Sequence, residues 1–218
     1  KFGDVLLATP TAVSKGNITA ALIITLDKSG NKVAGIGKPF SEIKLHLIAY
    51  RERPEVNAVV HAHPPFATAR GLLNLPIKPA IPEAIVSIGD VVPVVAFAMP
   101  GVKENDDIIA RALAEVDVFI MPGNGVLAVG DCVEQAYLRL ELVEHLAKID
   151  YYAQNQGMPM RLASEDIASL MQKRADIGLG PKRKTAVLPQ VSGFTKEQEQ
   201  LPELKKLILE EIKKALQG

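Results

Sequence analysis

The run Asn57-Ala58-Val59-Val60-His61-Ala62-His63-Pro64-Pro65 carries an apolar, β-type segment into two histidines and then two prolines. In a strand, side chains at i and i+2 leave the same face, so His61 and His63 present both imidazoles in one direction. Proline donates no hydrogen bond and restricts the residue before it, so Pro64-Pro65 should stop the strand just beyond the pair. Two nitrogen ligands side by side at a strand exit suit a transition metal. Spacing alone supports two structural histidines equally well, because His-x-His is short and common.

Outward from this stretch the chain alternates short strands with helices. Val5 to Ala8, Ala21 to Leu26 and Lys32 to Ile36 read as strands, the last two separated by the turn chemistry of Asp27-Lys28-Ser29-Gly30-Asn31. The chain opens almost directly on the first of these, so an upstream segment is expected to precede it. A helix is predicted from near Ser41, with Pro39 ahead of it and Glu42 in its first turn, where the helix dipole favours a carboxylate. Phe66 to Leu73 and Asn105 to Ala114 are predicted helices. Val91 to Ala96, Val118 to Met121 and Gly125 to Val129 are predicted strands. A long helix from Asp131 to about Gln154 places Leu138, Leu142, Leu146 and Ile149 on one side, and Ser164 caps another. Thr195 and Gln198 open a last helix with Leu201, Leu204, Ile208, Ile212 and Ala215 at helical spacing. This pattern gives an α/β fold with a sheet covered on both faces.

The 218 residues, 48% hydrophobic and 23% charged, fit one globular domain with a substantial core. With 25 basic and 25 acidic residues the formal net charge is zero, so nothing global recommends a nucleic-acid or membrane partner. Cys132 is the only cysteine, which excludes an intrachain disulfide and fits a reducing, cytoplasmic compartment. The longest apolar stretches are strand-sized.

Lys38-Pro-Phe-Ser-Glu42, His46 and the block from Arg51 through His61-Ala-His63 to Ala69 closely resemble the class II aldolase/adducin family. Thr9-Pro10-Thr11-Ala12-Val13-Ser14-Lys15-Gly16 resembles its Thr-Pro-Ser/Thr-Gly turn, and Gly123-Asn-Gly-Val-Leu-Ala-Val-Gly130 its Asn-His-Gly segment. The resemblance implies a three-layer α/β/α domain over residues 1–155 with a central mixed or antiparallel sheet. Residues 156–218 would form a C-terminal helical extension packing on the same domain or a neighbouring subunit. It also implies a homotetramer acting on a small-molecule sugar phosphate, with Zn2+ or another divalent metal held by histidines that match His61 and His63. Glu42 matches the carboxylate that removes and returns the substrate proton.

Departures from the pattern are equally specific. The third metal histidine falls at Asn124, whose amide oxygen is a weaker zinc ligand than imidazole, so affinity should drop and metal preference change. His145 is a candidate substitute, more simply read as an ordinary helix histidine; His46 reads as a supporting or structural residue. For phosphate, Thr11-Ala12 replaces Thr-Gly and Phe40-Ser41 replaces paired serines, so the Ala12 amide and Ser41 are the expected contacts and Phe40 narrows the room. The tyrosine that acts as proton donor in some family aldolases has no clear counterpart; Glu83 nearby reads as a solvated loop acid.

Three functions are thus open. One is a metal-dependent aldolase that cleaves a ketose phosphate to dihydroxyacetone phosphate and an aldehyde through an enediolate. Another is an epimerase or dehydratase of a pentulose phosphate on the same fold. The third is a non-catalytic, adducin-like binding module with a degenerate metal site. Retention of Glu42, His61 and His63 together favours catalysis.

Overall fold

A computed structural model describes residues 1–99 and 102–182. The last predicted helix, from Thr195, lies outside the described residues. Strands β1 (Leu6–Ala8), β2 (Ile24–Leu26) and β3 (Lys32–Ala34) form one antiparallel sheet. Helix α1 (Ile43–Glu52), strand β4 (Ala58–Ala62) and helices α2 (Pro65–Leu72), α3 (Pro82–Ile88) and α4 (Lys103–Glu115) follow. Strands β5 (Val118–Met121) and β6 (Gly125–Gly130) then lead to the long α5 (Val133–Gln156) and to α6 (Ser164–Asp176).

The main sheet has the order β4-β6-β5, both pairings antiparallel, with His61 opposite Leu127 and Met121 opposite Gly125. Its period of two separates two cores. Val118, Ile120, Val126 and Ala128 face Ala67 of α2, Ile88 of α3 and Val143 of α5. Phe119, Met121, Leu127 and Val129 face Leu45 and Ile48 of α1 and Ile109 and Leu113 of α4. The result is the expected three-layer α/β/α arrangement. Each fully buried Leu, Ile or Phe in it contributes roughly 1.5–3 kcal/mol.

Helix α1 also serves the smaller sheet. Ile43, Leu47 and Tyr50 pack, with Phe40, on the cluster of Leu6, Ala8, Ile24 and Leu26. The two sheets therefore grip α1 from different sides, which fixes Glu42 at its entrance.

Several local expectations are corrected. Residues 91–96 form no continuous strand: Val92 bridges Ile77 and Val94 bridges Ile120 in parallel. Pro93 has no N–H to donate and contributes only its carbonyl, to Ile120 at 2.9 Å. Helix α1 starts at Ile43, with no side-chain cap from Ser41. Helix α4 starts at Lys103, two residues ahead of the predicted Asn105. The buried face of α5 is built from Ala136, Arg139, Leu140, Val143, Leu146 and Ala147, while Leu138 is exposed. Of the predicted side, Leu146 is buried and Leu142 packs partly against the core, while Leu140, Val143, two alanines and Arg139 complete the face and Ile149 is exposed. Glu83, expected as a loop acid, lies instead in the first turn of α3, for which Pro82 at the first position is the start signal.

Among the described residues, four charged side chains are buried: Arg53, Asp117, Arg139 and Arg174. Asp117 binds all three guanidiniums, at 3.0, 3.1 and 2.6 Å respectively. No described helix is long and apolar enough to cross a membrane.

Candidate metal centre

His61 occupies the penultimate position of β4 and His63 stands just past its end, their ring centroids 5.0 Å apart. Glu42 reaches them from the entrance of α1. One ligand atom from each of Glu42, His61 and His63 falls within 4.8 Å of the other two. The strand exit and the helix entrance therefore meet as the sequence anticipated.

The environment of His61 fixes its tautomer. Its Nδ1 lies 2.9 Å from the Val126 carbonyl, which can only accept, so Nδ1 carries the proton. That leaves the Nε2 lone pair facing Glu42 Oε2 at 3.2 Å, buried and with no aligned hydrogen bond. Burial lowers the pKa of this imidazole, against the opposing pull of the Glu42 carboxylate and the Val126 carbonyl. A neutral nitrogen lone pair aimed at a carboxylate is an arrangement that a cation would satisfy. Two imidazoles and a carboxylate are also a donor set for a divalent transition metal, so the residues fit the metal that the resemblance implies.

Asn124 is at the same place. Its Oδ1 lies 3.2 Å from His63 Nε2, so the side chain at the third-histidine position contacts the pair directly. Gly125 explains how the β6 entrance comes so close. It has φ +73°, and a Cβ there would stand 2.2 Å from the Ala62 oxygen and 2.8 Å from His63 Cα. Sequence reading missed this residue. Its signal, the glycine of the Asn-Gly pair, is visible only once β4 and β6 are known to pair.

The expected phosphate contacts are brought to the same entrance. Pro10 bridges Pro39, and the Thr11 N–H donates to the Lys38 carbonyl at 3.0 Å, tying the Thr11-Ala12 turn to the segment ahead of Ser41. Ala12 holds φ +59°, a left-handed conformation rare for a residue with a side chain, in the place where the resembling turn has glycine. Lys15 reaches back to this turn, donating to Thr9 Oγ1 at 3.0 Å. Phe40 turns away into the small-sheet core and against His46 instead of narrowing the entrance. His145 and Glu83 are exposed, and His145 is not part of the metal group. Beside Glu42 and Asn124 opens a cavity of about 450 Å³, with Val95, Phe97 and Met121 among its apolar walls and Lys44 as a cation on its rim.

A three-layer α/β/α domain with Glu42, His61 and His63 converging on one point defines a class, and comparison with known proteins agrees. Residues 3–151 match the Class II Aldolase and Adducin N-terminal domain, and the chain belongs to that family. It is 31% identical over 153 residues to the L-fuculose phosphate aldolase of Methanococcus maripaludis, covering 70% of this chain and 82% of that protein. It is also 31% identical over 171 residues to a 3-oxo-tetronate 4-phosphate decarboxylase of Escherichia coli O6:H1, covering 76% and 79%. A solved L-fuculose 1-phosphate aldolase superposes with a TM-score of 0.70 at 30% identity, over 78% of this chain and 80% of that one.

Proposed function

We propose that this chain is a metal-dependent sugar-phosphate aldolase, joining or cleaving dihydroxyacetone phosphate and an aldehyde. The observation that carries the reading is the convergence of Glu42 on the two imidazoles, with the His61 Nε2 lone pair left unpartnered. His61 and His63, with Asn124 beside them, would hold the cation, zinc in our reading. When bound, the cation supplies Lewis-acid stabilisation of charge on the ketone oxygen.

Glu42 handles the proton. In the joining direction its carboxylate takes one proton from the hydroxymethyl carbon next to the ketone, leaving an enediolate. The enediolate carbon forms the new bond to the aldehyde carbon, and Glu42 returns the proton to the aldehyde oxygen as it becomes a hydroxyl. The reverse sequence is cleavage. Thr11, the Ala12 amide and Ser41 receive the phosphate, and the cavity beside Glu42 receives the aldehyde. Assembly as a cytoplasmic homotetramer belongs to the same reading.

The test is incubation of the zinc-supplied protein with dihydroxyacetone phosphate and a panel of short aldehydes. Carbon–carbon bond formation is expected, abolished by chelation and lowered about 10²-fold or more in Glu42→Gln. No bond formation with any aldehyde, or full turnover in that variant, would refute the proposal.

A second reading keeps the base and the cation but releases carbon dioxide from a 3-oxo acid phosphate. Lys44 on the cavity rim favours it, since a substrate carboxylate would need a cation there. Evolution of carbon dioxide from such an acid, with no condensation of aldehydes, would select it.

A further inference from the structure

We propose that Glu144, on α5, is a positioning residue for His63. The sequence around His63 creates the need. Pro64 and Pro65 carry no N–H, so the first donors after the strand exit are the amides of Phe66 and Ala67. Helix α2 has no side-chain cap of its own, because the residue ahead of it is Pro64. Its ladder begins only with the Thr68 N–H donating to the Pro64 carbonyl at 2.9 Å.

Glu144 supplies the missing cap from another helix. Its Oε1 accepts from the Phe66 N–H at 3.1 Å and its Oε2 from the Ala67 N–H at 2.9 Å. Both carboxylate oxygens are thus used on two consecutive amides, and the negative charge sits at the positive end of α2. Because α5 also packs on the main sheet through Val143 and Ala147, this contact references the start of α2 to the sheet itself.

His63 lies two residues ahead of the capped turn and one past the end of β4. On one side, Gly125 leaves no room for the backbone to move toward β6. On the other, the clamp on Phe66 and Ala67 stops it from following α2 away. Held between them, the His63 imidazole keeps its 5.0 Å spacing from His61 and its contact with Asn124. Loss of the Glu144 carboxylate would free two donors and let the proline pair swing, so its effect should pass through His63.

The inference rests on the metal-site reading above for its consequence, but not for its test. In the metal-free protein, Glu144→Gln and Glu144→Ala should shift the ring nitrogen and proton resonances of His63 while leaving those of His46, on α1 against Phe40, in place. Glutamine keeps one acceptor and turns a donor toward the second amide, so its shift should be the smaller one. In zinc titrations of the full chain, Glu144→Ala should weaken binding about tenfold or more. The same change made in a His63→Ala background should cost less than about twofold. Unmoved His63 resonances, or an equal loss in both backgrounds, would overturn the proposal. Failure of the unsubstituted chain to bind zinc would instead count against the metal-site reading, and the resonances of the metal-free protein would still decide this one.

Discussion

At residue 124 the decisive fact is a contact. The Asn124 amide oxygen stands 3.2 Å from His63 Nε2, so whatever side chain occupies this position faces the imidazole pair. Asn124→His would add a third nitrogen donor, and sites of three imidazoles are strong zinc sites. Zinc affinity measured by competition with a chelating dye should rise about tenfold or more. An unchanged affinity would mean that this position does not face the cation. Glu42, His61 and His63 were legible in the sequence because their chemistry is local: an acid at a helix entrance and a two-residue spacing at a strand exit. Gly125 and Glu144 were not, because each is defined by a residue far away in the chain. A glycine in a turn or an acid on a helix has an adequate local explanation until its tertiary neighbour is known.

Among the elements, α1 ties the two sheets together and also carries His46, one turn after Glu42. The His46 Nε2 is buried without a hydrogen-bond partner, and burial pushes its pKa down to about 3, with the His61 and Lys15 charges acting in the same direction. In the unfolded chain an ordinary histidine titrates near 6.5. Below that pH the unfolded chain binds a proton that the folded one refuses, so stability is complete above about 6.5 and falls with acidification towards the folded value. The slope is up to about 1.4 kcal/mol per pH unit for one such group. His61, shifted the same way, adds to it. Urea midpoints of the metal-free protein should therefore drop between pH 7 and pH 5, and drop less in His46→Leu. Equal slopes in the two proteins would show that His46 is protonated in the fold. Of the other elements, β5 and β6 matched their apolar runs because both faces of those strands are buried, whereas residues 91–96 read as a strand but contain a proline that breaks the ladder.

For the molecule as a whole, the layered arrangement could be anticipated from pattern and resemblance, but the device that attaches α6 could not, since it consists of charged residues that a sequence reader assigns to the surface. Arg174 is the one buried residue of α6. Its guanidinium reaches the Val86 carbonyl of α3 at 2.9 Å and Asp117 at the start of β5 at 2.6 Å, and Asp117 is shared with Arg53 and Arg139. Ile167, Leu170 and Met171, half-buried at helical spacing, share the face of Arg174, which anchors the helix to a carboxylate already held by two others. Arg174→Ala should free α6 while Arg53 and Arg139 still neutralise Asp117, so amide protection should vanish over 164–176 and persist in β5 and β6. Asp117→Asn should behave differently. It strands three buried guanidiniums at once, and breaking a buried ion pair from one side costs about 3–5 kcal/mol, so the whole domain should melt earlier. Hydrogen exchange on the two variants separates local from global loss. Unchanged protection of α6 in Arg174→Ala would mean that its contacts with α3 suffice, and that the arginine cluster organises the sheet end alone.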